Sequence, residues 1–324
     1  MLKDNPLKKP FWMFNKHIET IASIFFLKNL NLKMNTQRLF TPDYDFIDID
    51  FVINDPQKNN SIIIFHGLEG SSKSFYCKSI IRHFSKKKWN IYIPKFRSCG
   101  DYENWSLKTY NGIIKSDILL LLSKFCCSNE NIFIFGTSLG ASNILNVLGE
   151  CHLKQIKRVF LSSPVLDFVS AGSKLSYHFI TKFIYGNYFL KKLKRKLFKK
   201  KIKFPGYFDH INITDINSIK KFDDLYTAPF HGFNNAYDYW EKASCSNKLN
   251  KIKYKTYILV SQNDPICTSK YSYFSVGEYK INNDVNLYVS KFGGHSSFFS
   301  GLFFLNHDWF MRKLDLFFES FINE

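Results

Sequence analysis

The chain has 324 residues, 45% hydrophobic and 18% aromatic, enough apolar material for one large domain and too much for global disorder. Its formal net charge of +18 invites a nucleic-acid or anionic-membrane reading; no nucleic-acid-binding motif accompanies the charge, and Lys, Asn, Ile, Phe and Tyr abundant together suggest an AT-rich genome, so no specific nucleic-acid partner is expected. Cys77, Cys99, Cys126, Cys127, Cys151, Cys245 and Cys267 are odd in number and form no C-x-x-C pair, which argues against a zinc site or a disulfide framework and fits reduced thiols in a cytoplasm.

Residues 1–35 are an aromatic-rich lead-in without the apolar stretch and small-residue cleavage site of a signal peptide. Its longest apolar run, Ile21 to Leu27, is far short of the roughly 18–20 residues of a spanning helix. Residues 38–55 partly alternate apolar and polar and predict early β structure. "SIIIFHG" (61–67) reads as a buried strand ended by glycine. A helix follows from about Phe75 to Lys87, then a strand and glycine loop in "NIYIPKFRSCG" (90–100), and a helix over 110–125. "NIFIF" (131–135) is a strand, "LGASNILNVLGE" (139–150) a helix and "KRVFLSSP" (157–164) a strand. Such alternation predicts an α/β fold, a mostly parallel sheet flanked by helices.

The rhythm breaks over 167–248, where helical patches surround the basic run "KKLKRKLFKKKIK" (191–203). It returns in "TYILVSQND" (256–264) and "NLYVSKFGGH" (286–295), and "DWFMRKLDLFFESF" (308–321) closes the chain as an amphipathic helix. The expected organisation is a core built from 1–166 and 249–324, interrupted by a helical cap at 167–248.

Within "NIFIFGTSLGASNIL", Ser138 stands between Gly136 and Gly140. A strand that turns sharply into a helix strains its corner residue, and glycines on either side remove Cβ atoms that would collide. The corner residue is then lifted above the C-terminal edge of the sheet, where open α/β folds bind ligands, with the N-terminus of the next helix beneath it. This is the G-x-S-x-G nucleophile elbow. The bland alternative is a glycine-rich turn whose serine only caps the helix.

A serine hydroxyl needs a base, and the base needs an orienting carboxylate. In the order Ser, acid, His, Asp264 and His295 each lie just beyond the end of a predicted strand. Asp223 and Asp284 compete for the acid but end no predicted strand. His66 is expected to shape the loop after "SIIIF" rather than act as a base; the other histidines carry no strand-end signature. The oxyanion hole would take the backbone N–H groups of Leu139 and Leu68. This chemistry requires no metal and no organic cofactor.

These residues bring a family into view. The chain resembles the α/β-hydrolase fold proteins of the YheT/EMB8 type, the AB hydrolase 4 family, over almost its whole length. The similarity is carried by "FWMFNKHIETI" (11–21), "HGLEGSSKSFY" (66–76), "KFRSCG" (95–100), "GTSLGASNILNVLGE" (136–150), "FDDLYTAPFHGFNNAYDYW" (222–240), "NDP" and "GGH". Ser98 and Ala141 stand where that family commonly has glycine. The resemblance implies a serine hydrolase with a helical cap and carboxylesterase or acylglycerol-lipase-like activity, acting through Ser138, Asp264 and His295 on a small-molecule or lipid ester.

Two other readings stay open. One is an acyltransferase on the same triad. The other is a protein that binds a membrane surface through 191–203 and carries a vestigial triad, since nine Lys or Arg in that run interleave with apolar residues; a solvated face of a lysine-rich chain is the plainer account. A cytoplasmic location is expected, with peripheral membrane contact if the basic run binds lipid.

Overall fold

The computed structural model describes residues 6–22, 33–54, 56–57, 60–301 and 306–322. Most of the run Ile21 to Leu27 lies outside these. Among the described residues a nine-stranded sheet runs in the order β1-β2-β4-β3-β5-β6-β7-β9-β8. Its strands are β1 (Asn35–Phe40), β2 (Phe46–Val52), β3 (Asn60–Phe65), β4 (Asn90–Pro94), β5 (Asn131–Thr137), β6 (Ile156–Ser162), β7 (Thr256–Ser261), β8 (Gly277–Lys280) and β9 (Val285–Ser290). The six strands from β4 to β9 in that order are parallel; β1, β2 and β8 attach antiparallel at the two edges.

The apolar strands are continuous because both faces are buried. In β3, Ile63 and Phe65 face one core with the helices Lys115–Ser128 and Leu139–Leu148. Ile62 and Ile64 face the other, with the helices Phe75–Lys86 and Asp308–Glu319. The result is a three-layer sandwich, helices on both sides of one sheet.

Three details depart from the sequence reading. The segment 38–55 is two antiparallel strands, β1 and β2, joined by a turn in which Thr41 N–H donates to Asp45 O at 2.9 Å. The helix expected over 110–125 starts at Lys115, because the backbone N–H of Ile114 donates to the Asn143 side chain instead of continuing a helix. Strand β8 leaves no mark in the sequence: its four residues, Gly-Glu-Tyr-Lys, are partly or fully exposed and carry no apolar alternation. Between β6 and β7 the described chain forms only helices and turns, the longest helix being Asn187–Lys203.

That long helix holds the basic run, and much of the run is engaged with the rest of the protein. Lys196 pairs with Glu69 at 2.7 Å and Lys199 with Glu103 at 2.9 Å. Lys200, fully buried, donates to Asn104 O at 3.1 Å. Lys203 donates to Glu103 O, Lys194 to Ile216 O and Lys201 to Ile211 O. Burial lowers the Lys200 pKa to about 8. These lysines fasten the helix to the loop after β4 and to its neighbours in the cap; Lys191, Lys192 and Arg195 are left for the surface.

Candidate active site

The sheet order reverses at β3 and β5: β4 lies on one side of β3, and β5 begins the march the other way. The loops leaving the C-terminal ends at such a switch splay apart and form a crevice. Ser138 follows β5 directly and opens the helix Leu139–Leu148. Its backbone is strained, with φ 51° and ψ −123°. The turn is pinned by the Ser138 N–H, which donates to Ser162 O at the end of β6 at 2.9 Å.

The two elbow glycines are required by close approach. A Cβ on Gly140 would lie 2.3 Å from Phe65 O and 2.5 Å from His66 O, and one on Gly136 would lie 2.9 Å from Ala141 Cα. The first collision is with the end of the neighbouring strand β3, not across the turn itself. Gly140 therefore lets the elbow helix press against the loop that holds Leu68.

The three side chains singled out for catalysis meet. His295 Nε2 lies 2.9 Å from Ser138 Oγ, and His295 Nδ1 lies 2.8 Å from Asp264 Oδ2. Asp264, buried, is held by its second oxygen, which accepts from Ile266 N–H at 2.8 Å and Cys267 N–H at 2.9 Å. Burial lowers the His295 pKa, and the adjacent Asp264 carboxylate outweighs it, holding the imidazole well above its ordinary value. Leu68 and Leu139 line the same cavity as Ser138 and His295. Among the described residues no internal acceptor takes the N–H of either, which leaves both as donors for an incoming oxygen.

His66 shapes the loop, as expected. The Phe96 N–H donates to His66 Nε2 at 3.2 Å, so the proton sits on Nδ1 and is donated to Gly67 O at 2.9 Å. Burial lowers its pKa to about 4 and keeps it neutral. The ring thus ties the loop after β3 to the loop after β4. Neither competing acid reaches His295 by a hydrogen bond. Asp284 precedes β9 and so lies at the opposite end of the sheet. Asp223 is buried in the cap, accepting from Trp240 Nε1 at 2.8 Å and Thr227 Oγ1 at 2.6 Å, and burial raises its pKa to about 7.

The sequence reading assigned no role to Glu19 and Thr20. Both belong to the short helix Lys16–Ile21 near the N-terminus. Thr20 Oγ1 accepts the backbone N–H of His295 at 3.0 Å. Glu19 Oε2 accepts from Gly293 N–H at 2.8 Å and Asn263 Nδ2 at 2.9 Å, while Lys9 neutralises its other oxygen at 2.7 Å. Gly294, at φ 53°, makes room: a Cβ there would lie 2.6 Å from Thr20 Oγ1. The signal was the polar trio Asn15, His17 and Thr20 in an aromatic segment, but nothing local tells which loop it grips.

For a metal, Asp264, Cys267 and His295 each offer a ligand atom within 4.8 Å of the others among the described residues. The Asp264 and His295 atoms are already committed to one another, and burial raises the Cys267 pKa so that it stays a thiol. The cluster is better matched to proton transfer than to a cation.

Two spaces open from Ser138 and His295. One is a narrow apolar cavity of about 100 Å³ beneath the cap, walled by Phe168, Leu175, Phe189, Phe222 and Trp240. The other is an open, more polar groove of about 580 Å³, with Thr20, Glu69, Lys73, Tyr185 and Lys192 on its walls.

Comparison with known proteins agrees with this architecture. The profile of the alpha/beta hydrolase fold family matches residues 60–302. YheT of Escherichia coli (strain K12) is 26% identical over 93% of this chain and 89% of its own length. The embryogenesis-associated protein EMB8 of Picea glauca is 25% identical over 93% and 70%, and a monoacylglycerol lipase of Saccharomyces cerevisiae 25% over 95% and 68%. Among solved structures, an esterase of Pyrococcus furiosus superposes with a TM-score of 0.54 at 16% identity, covering 91% of this chain and 92% of its own. That last likeness speaks for the fold alone.

Proposed function

The chain belongs to the α/β hydrolase fold family, of the YheT/EMB8 type, and from that premise we propose that it is a serine hydrolase cleaving carboxylic esters through an acyl-enzyme on Ser138. The observation that carries the reading is the unbroken chain from Ser138 Oγ through His295 to Asp264, at 2.9 and 2.8 Å. Ser138 Oγ attacks the ester carbonyl carbon while His295 Nε2 takes its proton. The negative charge on the carbonyl oxygen is met by the N–H groups of Leu68 and Leu139 and by the N-terminus of the elbow helix. His295 then gives the proton to the departing alkoxide. In the second half, water loses a proton to His295, attacks the acyl carbon and releases the acid, restoring Ser138. Asp264 holds the tautomer with the proton on Nδ1 and stabilises the imidazolium.

The apolar cavity suits the acyl chain and the polar groove suits the alcohol. The small volume of the cavity favours chains shorter than palmitate. The breadth of the groove supports a second reading, acyl transfer, in which an alcohol takes the place of water. A vestigial triad gains no support from side chains that already stand within hydrogen-bond distance.

A series of p-nitrophenyl esters from acetate to palmitate tests the proposal. Ser138→Ala is expected to lower kcat/KM by at least about a thousandfold across the series. Activity surviving in the variant would remove Ser138 from the mechanism. A fluorophosphonate probe checks the nucleophile independently of ester specificity: it should label the wild type and not Ser138→Ala, and a wild type that stays unlabelled would overturn the reading.

A further inference from the structure

The cap carries a surface that the reaction does not use. Phe179, Ile180 and Phe183 are 84%, 45% and 71% exposed, on a segment that is helical from Phe179 to Gly186. Phe179 and Phe183, four residues apart, share one face. Residues Lys182–Gly186 take a wider π-helical turn. This turn carries Ile184 and Tyr185 into the wall of the open groove, where His17 Nδ1 meets Tyr185 Oη at 3.1 Å. Phe183, one residue earlier, stays outside. The apolar ridge therefore borders the rim of the groove that ends at Ser138.

The charge around the ridge has one sign. Between Asp167 and Asp209 the chain has eleven Lys or Arg and no acid. Lys194, Lys196, Lys199, Lys200, Lys201 and Lys203 of the long helix are already engaged. Lys182, half-buried, and Lys191 and Arg195, exposed, have no acidic partner among the described residues. Exposed aromatics bordered by unpaired cations suit a surface of apolar chains beneath anionic headgroups. Among the described residues no helix is long and apolar enough to cross a membrane, so such a contact would lie on the bilayer rather than span it.

We propose that this ridge docks the protein on an anionic lipid bilayer, with Phe179, Ile180 and Phe183 entering the interface and Lys182, Lys191 and Arg195 meeting lipid phosphates. Docking in this orientation brings the open groove to the layer where ester lipids expose their carbonyls. That consequence rests on the esterase reading; the docking itself does not, and it is measured without turnover. The site of contact is also specific: it lies at the start of the basic run and before it, not along the run as a whole.

The experiment is co-sedimentation with vesicles of phosphatidylcholine containing one quarter phosphatidylglycerol, with pure phosphatidylcholine vesicles alongside. The wild type should pellet with the anionic vesicles and far less with the neutral ones. Phe179→Ser with Phe183→Ser should weaken the partition about tenfold or more, and Lys182→Gln with Lys191→Gln and Arg195→Gln should abolish the preference for anionic lipid. Lys199→Gln, whose ammonium is already paired with Glu103, should bind as the wild type does. Hydrolysis of a water-soluble ester, or fluorophosphonate labelling, should be unchanged in the ridge variants, showing that they fold. The proposal is overturned if the wild type ignores anionic vesicles or if the phenylalanine variant binds them equally well. It is also overturned if the ridge variants change only the oligomeric state in size-exclusion chromatography, which would assign the ridge to a contact between copies.

Discussion

The proposed nucleophile and the proposed base reach the same point by opposite means. Ser138 is placed by one contiguous segment: a buried strand, two glycines and the helix they start, with the strain at φ 51° built into the turn. His295 sits on a loop with two glycines at positive φ, Gly293 and Gly294, and such a loop has no local reason to hold one shape. Its shape is supplied by the helix Lys16–Ile21, some 275 residues away in sequence, through Thr20 and Glu19. A nucleophile tolerates little freedom and is encoded locally. A base that only needs a fixed ring can borrow its rigidity from elsewhere in the fold.

The sharpest way to break this contrast is to remove the partner that both fixes and charges the base. Asp264→Asn leaves the shape of the loop but offers His295 an amide in place of the carboxylate. The plateau of kcat/KM should fall by about a thousandfold or more. The pH profile adds a sign. In the wild type the carboxylate raises the His295 pKa above its ordinary value against the effect of burial. Only the neutral ring accepts the Ser138 proton, so activity should rise with pH through a limb above pH 6.5. In the variant the carboxylate's raising effect is gone while burial remains, and the limb should move to lower pH. A limb that stays in place would mean that another group sets it.

The next test loosens the borrowed part. Thr20→Val keeps the shape of the side chain and removes the acceptor of the His295 N–H, leaving a donor unpaired at a cost of about 1–3 kcal/mol. A loosened imidazole lowers kcat about tenfold while KM changes little, because no substrate contact is lost. Thr20→Ser should restore the rate, since it returns the acceptor. Glu19→Gln, which keeps one acceptor and drops the charge facing Lys9, should fall between the two. A variant that loses stability with kcat intact would reduce the N-terminal helix to a structural brace.

This contrast also explains what could be read from the sequence. β3, β5, β6, β7 and β9 were legible because burial on both faces leaves short unbroken apolar runs, such as Ile62 to Phe65. Ser138, Asp264 and His295 could be singled out because each lies within a few residues of the end of such a run. β8 was not, because an edge strand with exposed side chains leaves no apolar record. The roles of Glu19 and Thr20 were hidden for a different reason: a hydrogen bond across 275 residues has no periodicity. The basic run misled in a third way. Its composition reads as a solvated or lipid-facing helix, yet Lys196, Lys199 and Lys200 use their charges and donors on Glu69, Glu103 and Asn104, a choice of partners that only the packed cap determines.

The smallest expected effect concerns a place where sequence and fold disagree mildly. Ser98 stands where the motif it resembles commonly has glycine, and the reason is visible: its φ is 63°, in the left-handed region. A serine held there costs about 1 kcal/mol relative to an unstrained backbone. Its hydroxyl is buried with no partner among the described residues, a further small cost. Its backbone N–H still donates to Asn104 Oδ1 at 2.6 Å, a bond that glycine would keep. Ser98→Gly should therefore raise the stability by about 0.5–1 kcal/mol, the relief of strain exceeding the extra freedom that glycine gives the unfolded chain. The urea midpoint should rise while esterase kinetics stay unchanged. A lower midpoint would show that the loop after β4 depends on the stiffness of serine more than it suffers from its strain.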